Sequence, residues 1–193
     1  IQNVLVLRNI ISVGKNAFFA CRSIPDITLI GDNISILESA FDSMRNLKNI
    51  KIKCNFISIG YKSFSYCRNM LYIAIEAEKT KIGNNSFYSC TNLLSITEIR
   101  NINSLGNNAF YNCTNLRSIP IFKNTTEIGE KAFYECKSIQ SITFIGNNIL
   151  IQNQTFALCT GLQNLKIEGE NISFGNDAFS SCTNLPSALI TGS

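Results

Sequence analysis

The thiols are the most conspicuous reactive groups in this 193-residue chain, which has eight cysteines and no histidine. Seven of them, Cys21, Cys67, Cys90, Cys113, Cys136, Cys159 and Cys182, keep one register of 23 residues, with Met44 in the single gap. Thiols at this density invite two kinds of chemistry, disulfides or a bound metal. The spacing argues against both. Cysteines on neighbouring strands of a ladder have Cα atoms about 5 Å apart, within disulfide range, but their Cβ atoms point the same way, at a similar separation, wider than the usual ~3.8 Å. A linear column cannot surround zinc tetrahedrally, and there is no His to complete a site. Met44 in the same column marks a place for a soft apolar filler. The seven therefore read as buried free thiols. Cys54 stands outside the register, near a strand exit, and is the candidate for an exposed, reactive thiol.

The remaining chemistry is sparse. Absence of His removes the commonest general base. Asp26, Glu76 and Glu168 are isolated between solvated neighbours, the serines lack a His partner, and the glycines are single rather than clustered in a phosphate loop. These features disfavour catalysis and imply no cofactor. The net charge of +4 predicts no particular partner. Lys48, Lys51 and Lys53 form one basic cluster, but Glu76 and Glu168 interrupt the same face, and a nucleic-acid surface needs a longer stripe. Asn-x-Ser/Thr sequons at Asn33, Asn84, Asn112, Asn124, Asn153 and Asn171 are no more than this Asn-rich composition yields by chance. At 45% hydrophobic and 16% charged, the chain is too apolar for disorder, yet no apolar run reaches the roughly 18 residues of a membrane span.

The elements that position the cysteines follow from the same register. Phe18, Phe41, Phe64, Phe87, Phe110, Phe133, Phe156 and Phe179 are each 23 residues apart. Counting from Ile1, the units are 1–23, 24–46, 47–69, 70–92, 93–115, 116–138, 139–161 and 162–184, with a partial ninth at 185–193. Position one is Ile, Leu or Met throughout. Position four runs Val4, Ile27, Ile50, Ile73, Ile96, Ile119 and Ile142, and position six runs Val6, Leu29, Ile52, Ile75 and, after Glu98, Ile121 and Phe144. Position nine is Asn, Asp or Glu. The resulting L-x-x-L-x-L-x-x-N pattern is the leucine-rich repeat signature, and 23 lies within its length range. Position fourteen is Gly in six of eight units, and position seventeen is always Ala, Ser or Thr.

The run Leu105-Gly-Asn-Asn-Ala-Phe-Tyr-Asn-Cys-Thr-Asn-Leu116 closely resembles the BspA-like leucine-rich repeats, and the resemblance covers the whole chain. It implies a solenoid: a right-handed curved coil with a parallel β-sheet on its concave face. It also implies a surface-displayed or secreted array, adhesion to host extracellular proteins or other cells, and a protein ligand such as an extracellular-matrix or cell-surface protein, with a glycan as a further class. An intracellular scaffold, cytoplasmic and binding a protein partner, fits the free thiols equally well.

Physical argument fills in the unit. Positions four and six alternate inward, as a short strand requires. Gly at fourteen permits a backbone closed to other residues, Asn, Ser or Asp after it can cap a turn, and Phe and Cys three apart share one face, so the second half is expected as a short helical or 3₁₀ turn. Bonds from the position-nine Asn are expected to tie neighbouring units. A single unit cannot bury enough to stand alone, so units must stack. Neither end carries a polar cap, which predicts a segment of a longer array.

The fifth unit departs from the pattern, with Glu98 at an inward position and Ile99 beside it. A local bulge that turns Ile99 inward and Glu98 outward accounts for it; the other reading is a buried, neutral or paired Glu98. Binding is expected on variable outward positions of the strand face: Lys51, Lys53, Tyr72, Glu76, Arg100, Arg117, Phe122, Lys123 and Ile145. On a strict 23-residue count Phe122 and Ile145 form an exposed apolar pair with Arg100, Arg117 and Lys123 as a basic rim. The column Tyr88, Tyr111 and Tyr134 is a second candidate, suited to protein or glycan contacts.

Overall fold

The computed structural model describes residues 4–99, 102–119, 122–123, 125–186 and 188–191. Each coil lays down two strands where the repeat pattern called for one. They are β1 (Val4–Arg8) and β2 (Ser12–Val13), β3 (Asp26–Ile30) and β4 (Asn33–Ile36), β5 (Asn49–Lys53) and β6 (Phe56–Ile59), β7 (Tyr72–Ala77) and β8 (Lys79–Ile82), and β9 (Ser95–Ile99) and β10 (Ile102–Leu105). The chain continues with β11 (Phe122–Lys123) and β12 (Glu127–Ile128), β13 (Ser141–Ile145) and β14 (Leu150–Ile151), β15 (Asn164–Glu168) and β16 (Ser173–Phe174), and β17 (Ala188–Thr191).

Pairing is parallel and follows the repeat from the second coil, where Ile27 lies opposite Ile50 and Ile50 opposite Ile73. The first coil pairs at a separation of 22, Leu5 with Ile27 and Leu7 with Leu29, so Leu5 and Leu7 pack on the core and Val4 and Val6, expected inward, are exposed. The result is a β-solenoid. The first strands form two sheets, β1-β3-β5-β7-β9 and β11-β13-β15-β17, while the second strands run unbroken as one eight-stranded sheet from β2 to β16. The inward columns close a dry core. Phe41, Phe64, Phe87, Phe110, Phe133 and Phe156 are fully buried. Adjacent rings of this column stack with centroids 5.0 to 5.3 Å apart.

The second half of the unit is a turn, not a helix. Two residues per coil take a left-handed conformation, at positions sixteen and twenty, for example Asn85 (φ 55) with Ser89 (φ 55), and Lys62 (φ 54) with Tyr66 (φ 57). Such residues end a helix rather than extend it. The backbone N–H groups go elsewhere: Phe64 donates to Ser86 and Phe87 to Ala109, both at 2.8 Å in the next coil. A helix would need these donors for its own carbonyls, and stacking takes them.

Glycine at position fourteen serves close approach, not an unusual dihedral; among the described residues only Gly146 and Gly169 are glycines with positive φ. A Cβ on Gly129 would sit 2.5 Å from the Gly106 carbonyl carbon and 2.6 Å from the Asn107 nitrogen, both backbone atoms of the preceding coil.

Asparagines tie the coils together in two columns. Position nine contributes Asn147, whose Oδ1 accepts from the Glu170 N–H at 3.0 Å. A position-fifteen column, absent from the sequence expectation, is longer: Asn84 Oδ1 accepts from Asn107 N–H, Asn107 from Glu130, and Asn153 from Asn176.

Units five and six slip by one residue. Ala77 pairs with Ile99, a separation of 22, after Ala74 has paired with Thr97 at 23. Ile99 is thereby buried, and Glu98 points outward at φ 65. In the next unit Phe122 pairs with Phe144, again 22 apart. Phe122 thus takes the inward place that strict counting assigns to Ile121. It is 1% exposed, stacked on Phe144 at 5.0 Å and edge-on to Phe133 at 6.0 Å. The exposed pair expected of Phe122 and Ile145 is therefore not formed, because a large aromatic gains more from burial than the register slip costs.

Candidate functional site

The outward odd positions of the first strands carry most of the site residues expected from sequence, and the structure divides them into two groups. In the first, Lys53 lies opposite Glu76 in register, and Lys51 lies two residues before Lys53 on β5. Glu76 bridges both ammonium groups, with Lys51 Nζ 2.5 Å from Oε1 and Lys53 Nζ 3.4 Å from Oε2. The Lys51 hydrogen bond, then the Lys53 one, hold the Glu76 carboxyl below the usual carboxylate range, and Glu76, with Glu98, raises the Lys51 ammonium. What the sequence presented as a basic cluster is thus a clamped triad with much of its charge compensated. On β15 Lys166 and Glu168, two residues apart on the same strand, form a single pair at 2.5 Å. Exposed pairs of this kind add little stability. Tyr72 is exposed at the start of β7, four residues before Glu76 and between Asn49 and Ser95 on the flanking strands.

The second group is on the other first-strand sheet. Lys123 is exposed and opposite Ile145, which in turn lies opposite Glu168. Arg117 is exposed one residue before the isolated Ser95–Ser118 bridge between coils five and six. Arg100 lies outside the described residues. Phe122, in the core, is withdrawn from this surface.

The tyrosine column forms as a stack: Tyr88 on Tyr111 at 4.8 Å and Tyr111 on Tyr134 at 4.9 Å, with interplanar angles of 5° and 4°. Tyr66 joins edge-on at 5.5 Å, under the Arg68 guanidinium. Rings stacked in this way cover each other's faces and offer only edges and hydroxyls, which favours protein contacts over sugar rings that stack on a free aromatic face.

The thiols are free. Cys67, Cys90, Cys113, Cys136 and Cys159 are buried, and Cys21, Cys54 and Cys182 are half-buried. Burial pushes the Cys54 thiol up to about 11, so it is not the activated nucleophile its position suggested. Among the described residues no group of three or more His, Cys, Asp or Glu is placed to hold a metal ion.

One feature escaped the sequence reading. Where each coil bends from its first strand to its second, an open groove of about 1020 Å³ runs along the stack from Asn9 to Ile99. Its signal in the sequence is the short side chain at position eight, seen in Gly31, Cys54 and Ala77 and again in Gly146 and Gly169.

Comparison with known proteins agrees with this geometry. The family described as the BspA type leucine rich repeat region matches residues 1–117 and 80–193, in six copies. No curated protein sequence matches the chain. Among solved structures, a leucine-rich repeat protein of T. pallidum is similar at TM-score 0.60 and 21% identity, covering 96% of this chain and 79% of that one. A leucine-rich cell surface protein of Faecalibacterium prausnitzii aligns at TM-score 0.48 and 19% identity, over 99% of this chain and 79% of that one. A leucine-rich repeat protein of Bacteroides ovatus aligns at 0.45 and 18%, over 94% and 73%.

Proposed function

The chain belongs to the BspA-type leucine-rich repeat family, and from that membership we propose that it is a non-catalytic recognition module, displayed at a cell surface, mediating adhesion to host extracellular proteins or to other cells. A protein-interaction module is what the repeat family and the fold suggest. The observation that carries it is the division of the first strands into an inward and an outward face. Positions four and six of the first strand are committed to the core, as Ile50 and Ile52 are. Positions five and seven vary and face outward, in Lys51, Lys53, Glu76, Ile145, Lys166 and Glu168, and the register slip brings Lys123 into the same row opposite Ile145. A rigid scaffold with a variable row of side chains suits recognition of a protein surface, and a partner bridging β11, β13 and β15 would meet Lys123, Ile145 and Glu168 side by side.

The second reading, a cytoplasmic scaffold, is favoured by one observation: all eight cysteines are free, as a reducing compartment keeps them. Labelling of intact cells with a membrane-impermeant reagent separates the two, since only a displayed chain is modified. For the face itself, Arg117→Glu with Lys123→Glu should weaken capture of a panel of soluble extracellular-matrix proteins by about tenfold, the size of one or two interfacial charge contacts. Unchanged capture by a folded variant would move the site elsewhere.

A further inference from the structure

The groove at the bend is lined by small and apolar residues and by carboxylates. Its floor is the position-eight column Gly31, Cys54 and Ala77, continued by Ile99, which the slip sets opposite Ala77. At Gly31 any side chain is excluded from below, because a Cβ would lie 2.2 Å from the Ile10 carbonyl oxygen. Ile10, Ile11 and Ile30 extend the apolar surface at the first-coil end, where Ile11 is 79% exposed. Coils about 4.8 Å apart make five of them span roughly 19 Å, the reach of about six extended residues.

The described walls are mainly acidic. Asp32, Glu76, Glu78 and Glu98 line the groove, with Lys53 the one cation among its described lining residues. Glu76 is already shared between Lys51 and Lys53, so the charge contrast rests on the carboxylates of Asp32 and Glu98. The chain as a whole is +4, so this trench opposes the sign of the molecule that contains it. The register slip of unit five sharpens the contrast, because it sends the apolar Ile99 to the floor and the Glu98 carboxylate to the rim.

We propose that this groove docks an extended peptide segment in which lysine or arginine alternates with small apolar residues, the cations facing the carboxylate walls and the apolar side chains the floor. The proposal goes beyond the sheet-face reading. It concerns the first five coils, whereas Arg117 and Lys123 lie further along the stack.

The test uses a fluorescein-labelled hexapeptide of alternating Lys and Val, beside its Glu–Val counterpart, with fluorescence anisotropy on the intact protein. The basic peptide should bind at least tenfold tighter than the acidic one. Asp32→Asn with Glu98→Gln, both exposed positions that should fold normally, should weaken it at least fivefold and flatten its salt dependence. Arg117→Glu with Lys123→Glu should leave it unchanged, so failure here and failure of the sheet-face reading are distinguishable. Bound peptide should also slow alkylation of Cys54 in the floor while leaving Cys21 and Cys182 alone. Equal binding of the acidic peptide, indifference to the carboxylate variants, or an unprotected Cys54 would overturn the proposal.

Discussion

The thiol of Cys113 donates to the carbonyl oxygen of Phe87, 3.2 Å away in the preceding coil. The same bond recurs from Cys67 to Phe41, Cys90 to Phe64, Cys136 to Phe110 and Cys159 to Phe133, each at 3.1 Å. Cysteine is thus more than a filler of the right size, since each of these thiols donates to a backbone carbonyl of the preceding coil, as a second donor at Phe64, Phe87, Phe110 and Phe133. Met44, which cannot donate, occupies the place from which a thiol would reach Phe18. Because the Phe87 carbonyl also accepts from the Cys90 N–H, Cys113→Ala removes packing and one weak bond. The expected loss is about 1–2 kcal/mol in chemical denaturation. A variant as stable as the parent would show that the bond and the packing contribute nothing.

Alkaline pH should attack the same column. Burial raises the thiols of Cys67, Cys90, Cys113, Cys136 and Cys159, so the folded state keeps them protonated where the unfolded chain would ionise. A folded-state pKa above the unfolded one leaves stability intact below the unfolded value, about 8.5, and erodes it as pH rises above that. Each buried thiol contributes about 1.4 kcal/mol of loss per pH unit, which for a domain of ordinary stability means unfolding by about pH 10. Circular dichroism between pH 7 and 10.5 checks this; a fold unchanged at pH 10.5 would contradict it.

Glycine at position fourteen should matter only where a coil lies beneath it. Gly14, at the first coil, has nothing within 4 Å of an added Cβ, whereas Gly129 meets backbone at 2.5 Å. Gly129→Ala should therefore cost about 1–3 kcal/mol, as overpacking does, and Gly14→Ala should lie within about 0.5 kcal/mol of the parent. Equal effects in thermal melts would show that conformation, not contact, selects glycine here.

Phe122 and Tyr72 test the register slip. Strict counting puts both at outward positions, but Phe122 is buried and Tyr72 is 48% exposed. Phe122→Ala should cost about 3–5 kcal/mol and Tyr72→Ala well under 1. Comparable, small losses would restore Phe122 to the surface.

The coil, its core columns and the free thiols were legible because they depend on period, and a 23-residue period survives in Phe through all eight units and in Cys through seven. So was the outward turn of Glu98, since an apolar neighbour at Ile99 was available to replace it. The turn conformation was not legible. Phe and Cys three apart fit a helical face, and only the inter-coil hydrogen bonds at Phe64 and Phe87 decide that the donors point along the stack. The position of Phe122 escaped for a related reason, because a register slip in one unit moves the facing of the next, and counting alone cannot see it. The groove was hidden because its floor is defined by what position eight lacks.

Thiol accounting by mass spectrometry bears most directly on a stack with one shared dry interior. With alkylating reagent at neutral pH and native conditions, label should reach only Cys21, Cys54 and Cys182, the half-buried thiols, with Cys54 slow. The other five should react only after denaturant is added. Prompt labelling of Cys90, Cys113 or Cys136 in the native protein would mean that the coils do not close over a common core.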